Sequence, residues 1–176
     1  MVDLGKALEE LMSSEPLPEG EPRLVSGRIV VTRPARSAVG GATCALAWTE
    51  VRDLRTKKSL ILPAANDFFL DSTEGRFAVR VAGLVVIVPD TPRPERLDDD
   101  VAEAMRGVLE AAGLDPWHGI EFTEVTLHDG DEVAVRGRWR RELVPASEGY
   151  RGETELPTLS ADQGRLEVEL LVPHRP

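Results

Sequence analysis

Residues 67–88 read DFFLDSTEGRFAVRVAGLVVIV. Phe68, Phe69 and Leu70 run into Asp71, Ser72, Thr73, Glu74 and Gly75, a cluster of turn-forming residues. Phe77, Val79 and Val81 then alternate with Ala78, Arg80 and Ala82. A period of two puts the large apolar residues on one face of a strand and Arg80 on the other. The stretch therefore predicts strand, tight turn, strand, with Phe69, Phe77 and Val79 in the core. After Gly83, residues 84–88 are apolar at every position, which predicts a strand buried on both faces.

The same alternation extends upstream. Residues 23–32 place Val25, Ile29 and Val31 on one face, and Gly27 on that face predicts a bulge or a close backbone approach. A loop follows, with Arg33, Pro34, Ala35, Arg36, Ser37, Gly40 and Gly41. Residues 42–53 form a predicted strand with Cys44, Leu46 and Trp48 on one face. Arg55, Thr56, Lys57 and Lys58 make a polar turn, and residues 59–62 return as a strand. At the start of the chain, Leu4, Ala7, Leu8, Leu11 and Met12 have helical spacing. So short a helix is unstable alone and needs something to dock on, so Leu4, Leu8, Leu11 and Met12 are its candidate docking residues. Residues 13–22, rich in Glu and Pro, read as a linker.

Downstream, three prolines mark residues 89–96 as extended loop. Asp98, Asp99 and Asp100 then open a predicted helix, about 98–112, at the end where acids suit the helix dipole. Its apolar stripe is Val101, Met105, Val108, Leu109 and Ala112, and Gly113 ends it. Residues 120–128 are a predicted strand with imperfect alternation, and Asp129-Gly130 signals a hairpin. Residues 132–143 alternate best of all. Val133, Val135, Gly137 and Trp139 lie on one face, and Arg136, Arg138 and Arg140 on the other. Residues 145–164 read as an irregular acidic segment. Residues 165–172 close the chain, with Leu166, Val168, Leu170 and Val172 inward and Glu167 and Glu169 outward.

With 176 residues the chain suits one domain with a real core, and no apolar run approaches the ~20 residues of a membrane span. One cysteine permits no internal disulfide, and the acidic amphipathic start lacks the pattern of a signal peptide. Together these predict a soluble, cytoplasmic protein. The net charge is −10, unevenly placed. Residues 23–88 carry ten Lys or Arg against five acids, whereas residues 89–132 carry three against thirteen. Predicted strands are thus basic, and the insert and both ends acidic, so internal pairing of the two is expected. Overall negative charge argues against tight nucleic-acid binding, which needs a dense cationic patch.

Chemistry is sparse. Cys44 with His118 or His128 has the residue types of a thiol–imidazole pair, but Cys44 patterns inward with Leu46 and Trp48. Successive residues Asp98, Asp99 and Asp100 point in different directions on a helix and make a poor metal site. His128, Asp129, Asp131 and Glu132 are explained by turn chemistry, with weak cation binding as the alternative. No phosphate loop and no zinc spacing is present. The reading is therefore no catalysis, no cofactor and no metal. Arg136, Arg138, Arg140 and Arg141 remain as a cationic ladder. Trp139 patterns to the opposite face and does not interleave with it for base stacking.

Three segments resemble GIDE-type domains. Residues 26–30 followed by Pro34, Ser37, Gly40, Gly41 and Cys44 are similar to their opening P-x-x-S-x-x-x-G-x-x-C segment. Residues 68–79 resemble their F-x-L-x-D-x-x-G-x-x-x-V hairpin, and residues 124–137 their closing E-x-x-L-x-x-G-D-x-V-x-V-x-G segment. The resemblance implies an OB-like β-barrel of the kind found in mitochondrial ubiquitin ligases and bacterial membrane proteins, and a membrane-associated partner. In those ligases catalysis lies in a separate zinc-holding RING domain. This chain has one Cys and three His and lacks flanking membrane helices, so neither ligase activity nor membrane spanning carries over.

The expected fold is mainly β: a small OB-like Greek-key barrel over residues 23–176, with a helical insert at 89–118, preceded by a helix and acidic linker at 1–22. The expected function is non-enzymatic protein binding through the barrel surface or the N-terminal helix. The alternative is single-stranded nucleic-acid binding along the Arg136, Arg138, Arg140 and Arg141 strand.

Overall fold

A computed structural model describes residues 19–82, 84–88, 93–117, 119–145 and 153–174. The expected N-terminal helix, with Leu4, Leu8, Leu11 and Met12, lies outside the described residues, as does His118. The fold is mainly β, and the OB-like barrel is present. Five strands build it: β1 (Pro22–Val31), β6 (Phe68–Ser72), β7 (Gly75–Val79), β11 (Glu132–Pro145) and β12 (Glu153–Ser160). They pair in the order β1-β6-β7-β12-β11, and β11 pairs again with β1 to close the ring. All pairs are antiparallel except β7 with β12.

Barrel alternation follows the sequence pattern. Val25, Ile29, Leu70, Phe77, Val79, Val133, Val135, Leu159, Leu166 and Val168 are buried in one cluster. Phe69 differs from expectation: it is half-buried on the outer face, under the Arg76 guanidinium, and Phe68 and Leu70 point inward instead. Three apolar residues in a row left the phase of β6 open, and pairing of Leu70 with Phe77 decides it. Gly27 marks a close approach, because a Cβ there would sit 2.5 Å from the Asp71 carbonyl oxygen. At the barrel's end Arg23 lies over the rings of Phe77 and Trp139 and pairs with Glu74.

Two insertions make a second sheet. β4 (Leu46–Asp53) and β5 (Ser59–Ala65) come between β1 and β6, and β9 (Glu95–Arg96) and β10 (Ile120–Leu127) between β7 and β11. The sheet order is β5-β4-β10-β9. The short strands β2 (Ala35–Arg36) and β3 (Thr43–Cys44) pair beside it. β10 therefore does not form a hairpin with β11, as Asp129-Gly130 led one to expect. It pairs along its length with β4, and the chain changes sheets at residues 128–131. That turn is tied to β1 instead: Gly130 N–H donates to the Ile29 carbonyl, and Ile29 N–H to that of Asp131.

The expected single helix is two short ones, α1 (Asp99–Ala104) and α2 (Arg106–Ala111), broken at Met105, whose backbone (φ −95°, ψ 0°) leaves the helical range. Asp98 is the N-terminal flanking residue but its side chain makes no capping hydrogen bond. Ala102, Met105 and Leu109 pack with Val51, Leu97, Leu114 and Ile120 in a second core. Val108, read as part of that stripe, is half-exposed, because the break at Met105 rotates the second helix.

The last third of the chain is more ordered than its composition implied. β12, Glu153–Ser160, lies within what the sequence predicts as an irregular acidic segment. β12 and β13 (Arg165–Val172) both run antiparallel to β11, one after the other along the same strand. Leu166 and Val168 point inward as expected and Leu170 packs against the core, but Val172 is exposed, because the barrel ends before it. β8 (Leu84–Val88) adds to β13 in parallel.

Candidate functional site

The arginine ladder of β11 stands on the barrel's outer face. Val133, Val135 and Trp139 fill the interior, so the intervening Arg136, Arg138 and Arg140 must point out. Gly137 faces inward where a Cβ would come within 2.5 Å of the Ser160 carbonyl oxygen. That close approach lets β12 lie against β11 directly beside the ladder.

The four arginines do not share one environment. Arg138 donates through Nε and Nη2 to the Asp162 Oδ1, at 3.2 and 2.8 Å. Arg136 Nε lies 3.6 Å from Glu167 Oε2, and Arg165 Nε lies 3.2 Å from the other oxygen of the same carboxylate. Arg140 and Arg141 are exposed and make no ion pair among the described residues. The structure thus splits the predicted ladder into a neutralised half and an unpaired half. β1 pairs with β11 only as far as Arg138, and Thr158, the β12 partner of Arg140, is itself paired with Ala78 of β7, so the two-stranded ribbon of β11 and β12 beyond the closed barrel begins at Arg141. Leu143 on the same ribbon is 62% exposed.

A cleft of about 270 Å³ opens beside the neutralised half, lined by Arg136, Asp162, Gln163, Arg165 and Glu167. It exists because the line of β12 and β13 is interrupted. Asp162 and Arg165 exchange two backbone hydrogen bonds of 2.9 Å across Gln163 (φ 51°) and Gly164 (φ 78°). Two central residues with positive φ make a tight turn of the hairpin type. Sequence reasoning found Arg136 and Arg138 but missed Asp162, Gln163, Arg165 and Glu167 as their companions. The readable signal was the Asp-Gln-Gly turn within a segment taken as irregular.

The other candidates fall elsewhere. Cys44 is buried, but not with Leu46 and Trp48 as predicted: Ala45 breaks the strand, and Cys44 packs with Ala35 and Ala47. Its thiol is 3.7 Å from the Ala35 carbonyl oxygen, and burial, then the charge of Glu124, pushes its pKa up. That is the opposite of an activated nucleophile. His128 lies 3.8 Å from the buried Asp131, whose Oδ1 and Oδ2 accept the backbone N–H groups of His174 and His128. Asp131 therefore works as a turn anchor, as does Asp129 toward Val31 N–H. Among the described residues no group of three His, Cys, Asp or Glu side chains could hold a metal ion, and no helix is long and apolar enough to cross a membrane.

One polar cluster was not foreseen. Glu124 on β10 accepts the N–H of Val39 (2.9 Å) and of Gly40 (3.0 Å) and the hydroxyl of Thr49 (2.8 Å). Burial raises its pKa, but these bonds, with one from Ser37, outweigh burial and leave it below its usual value. Residues 37–41 are thereby clamped onto the second sheet.

No family model matches the sequence, and comparison with curated proteins gives no match. Among solved structures, a Plasmodium falciparum SSB in complex with ssDNA is similar over 89% of this chain and 99% of its own, at 12% identity and a TM-score of 0.28. So distant a likeness carries no argument about the site.

Proposed function

We propose that the chain is a non-enzymatic binding module that recognises another protein through the outer face of β11 and its ribbon. The observation that carries this is the ribbon end. Arg140 at the barrel's end and Arg141 on the ribbon beyond it have no carboxylate partner among the described residues, and the exposed Leu143 shares the strand face of Arg141. An exposed apolar residue with an exposed arginine two positions away on the same strand face has the composition of a protein interface. Arg136 and Arg138 already face carboxylates, which weakens the case for a phosphate-tracking groove. The resemblance to GIDE-type domains, where the barrel accompanies other modules, points the same way and makes a membrane-associated partner the one to look for.

Affinity purification from native extract tests the reading. A partner that co-purifies with the wild type and is lost with Arg140→Glu/Arg141→Glu supports it. A chain that elutes alone at every salt concentration overturns it. Single-stranded nucleic-acid binding is the second reading, favoured by the same two unpaired arginines. It requires salt-sensitive binding of an oligothymidylate that falls when Arg136, Arg138 and Arg140 become Ala, and absence of binding at low salt removes it.

A further inference from the structure

We propose that the cleft between Arg136 and Arg165 is a seat for one anionic side chain of an extended, acidic protein segment. The inference rests on the protein-binding reading above and gives the partner its chemistry.

Glu167 comes closest to Arg136 and Arg165 at their Nε atoms, one on each carboxylate oxygen. A guanidinium has five N–H donors in a fixed fork. The terminal Nη groups of both arginines have no acceptor among the described residues, yet both side chains line the cleft. Glu167 thus draws two guanidinium groups to the same cleft by charge, and neither is held in a hydrogen bond there. Arg–carboxylate and Arg–phosphate pairs are often bidentate, and two such ends match one planar or tetrahedral anion.

The charge count agrees. Arg136, Arg138 and Arg165 face Asp162 and Glu167, and the local excess is one positive charge. Asp162, the carboxylate that could fill the site, is held by Arg138. At about 270 Å³ the cleft falls below the ~300–1,000 Å³ of drug-sized ligand pockets. It suits a side chain better than a cofactor.

The surroundings favour a peptide over a free ion. Leu24 of β1 pairs with Arg136 on the side of β11 away from Glu167, and it is 54% exposed. A segment laid across β1, β11 and β13 would place an apolar residue on Leu24 and an anionic one in the cleft. The net charge of −10 disfavours a long polyanion but not a single charge met by a local excess.

The test uses a fluorescein-labelled heptapeptide of alternating Leu and Glu, its Gln counterpart and its phosphoserine counterpart, read by anisotropy on the full chain. Binding of the Glu or phosphoserine peptide at least tenfold tighter than the Gln peptide is expected. Arg136→Gln and Arg165→Gln should each remove most of that preference. Arg165→Lys, which keeps the charge and loses the fork, should recover only part of it. The ratio of the Glu to the phosphoserine affinity identifies the anion. Equal binding of the Gln peptide, or an unchanged preference in Arg165→Gln with native circular dichroism, overturns the proposal. So does competition by inorganic phosphate with no peptide binding, which would mean an adventitious ion only. If the native partner is lost with Arg140→Glu/Arg141→Glu but kept with Arg136→Gln/Arg165→Gln, the module reading stands and the cleft falls.

Discussion

The barrel and the four-stranded sheet are held together by different means. In the barrel, hydrogen bonding closes on itself and a continuous apolar interior fills it, with Thr158 and the turn anchor Asp131 the buried polar side chains among its described residues. The four-stranded sheet has two edges, and its core is a smaller cluster under two short helices. There, a buried and a half-buried carboxylate do part of the work. Asp53 accepts the N–H groups of Arg55 and Thr56 at the β4 turn, and Glu124 clamps residues 37–41. The barrel rests chiefly on closure and alternation, with carboxylate pins confined to the turn at 128–131, whereas the open sheet assembled from two insertions carries such pins within its strands.

The sharpest way to break this contrast is at the closest barrel contact. Gly137→Val should prevent β12 from pairing with β11 and cost more than about 4 kcal/mol, as seen in urea unfolding or as failure to fold. A small loss would mean that β11 and β12 can separate there, and the closure argument would be wrong. Leu109→Ala in the second core should cost about 3 kcal/mol. Hydrogen exchange should then loosen the helices, β9 and β10 while the barrel amides stay protected. Uniform loosening would show that the two regions unfold as one.

Glu124→Gln keeps the shape but removes the charge that meets four donors. A loss of about 1.5 kcal/mol is expected, with faster exchange at Val39 and Gly40 and a more reactive Cys44 thiol. Acid should act on the same region. The Thr56 N–H most of all, against the opposing effect of burial and helped by the Thr56 hydroxyl and the N–H groups of Arg55 and Asp115, holds the Asp53 pKa down at about 2. A carboxylate depressed by folding stabilises the native state above its ordinary value, 3.8, and loses that contribution as pH falls toward 2. Asp53→Asn should flatten the pH dependence of stability in that window, and an unaltered profile would dismiss the pin. The smallest effect belongs to the barrel surface. Arg138→Ala, which removes a half-exposed ion pair with Asp162, should change stability by less than about 1 kcal/mol.

The sequence by itself determined the barrel's inward and outward faces. Val133, Val135 and Trp139 alternate with Arg136, Arg138 and Arg140, and a strand has no other way to place them. It also determined that Gly27 lies where two backbones meet. It placed Phe69 on the wrong face, because consecutive apolar residues carry no phase. It paired β10 with β11 because a turn signature says where a chain reverses, not which strand it joins. Tertiary structure alone decided that β10 belongs with β4, that Cys44 leaves the Leu46 face, and that β12 continues into β13 across a two-residue turn. Those are contacts between segments far apart in the chain, whose pairing depends on complementary edges and volumes that no local pattern records. The candidate site divides in the same way. Its arginines were legible on one strand, while Glu167 and Arg165, which turn them into a cleft, reach it from another.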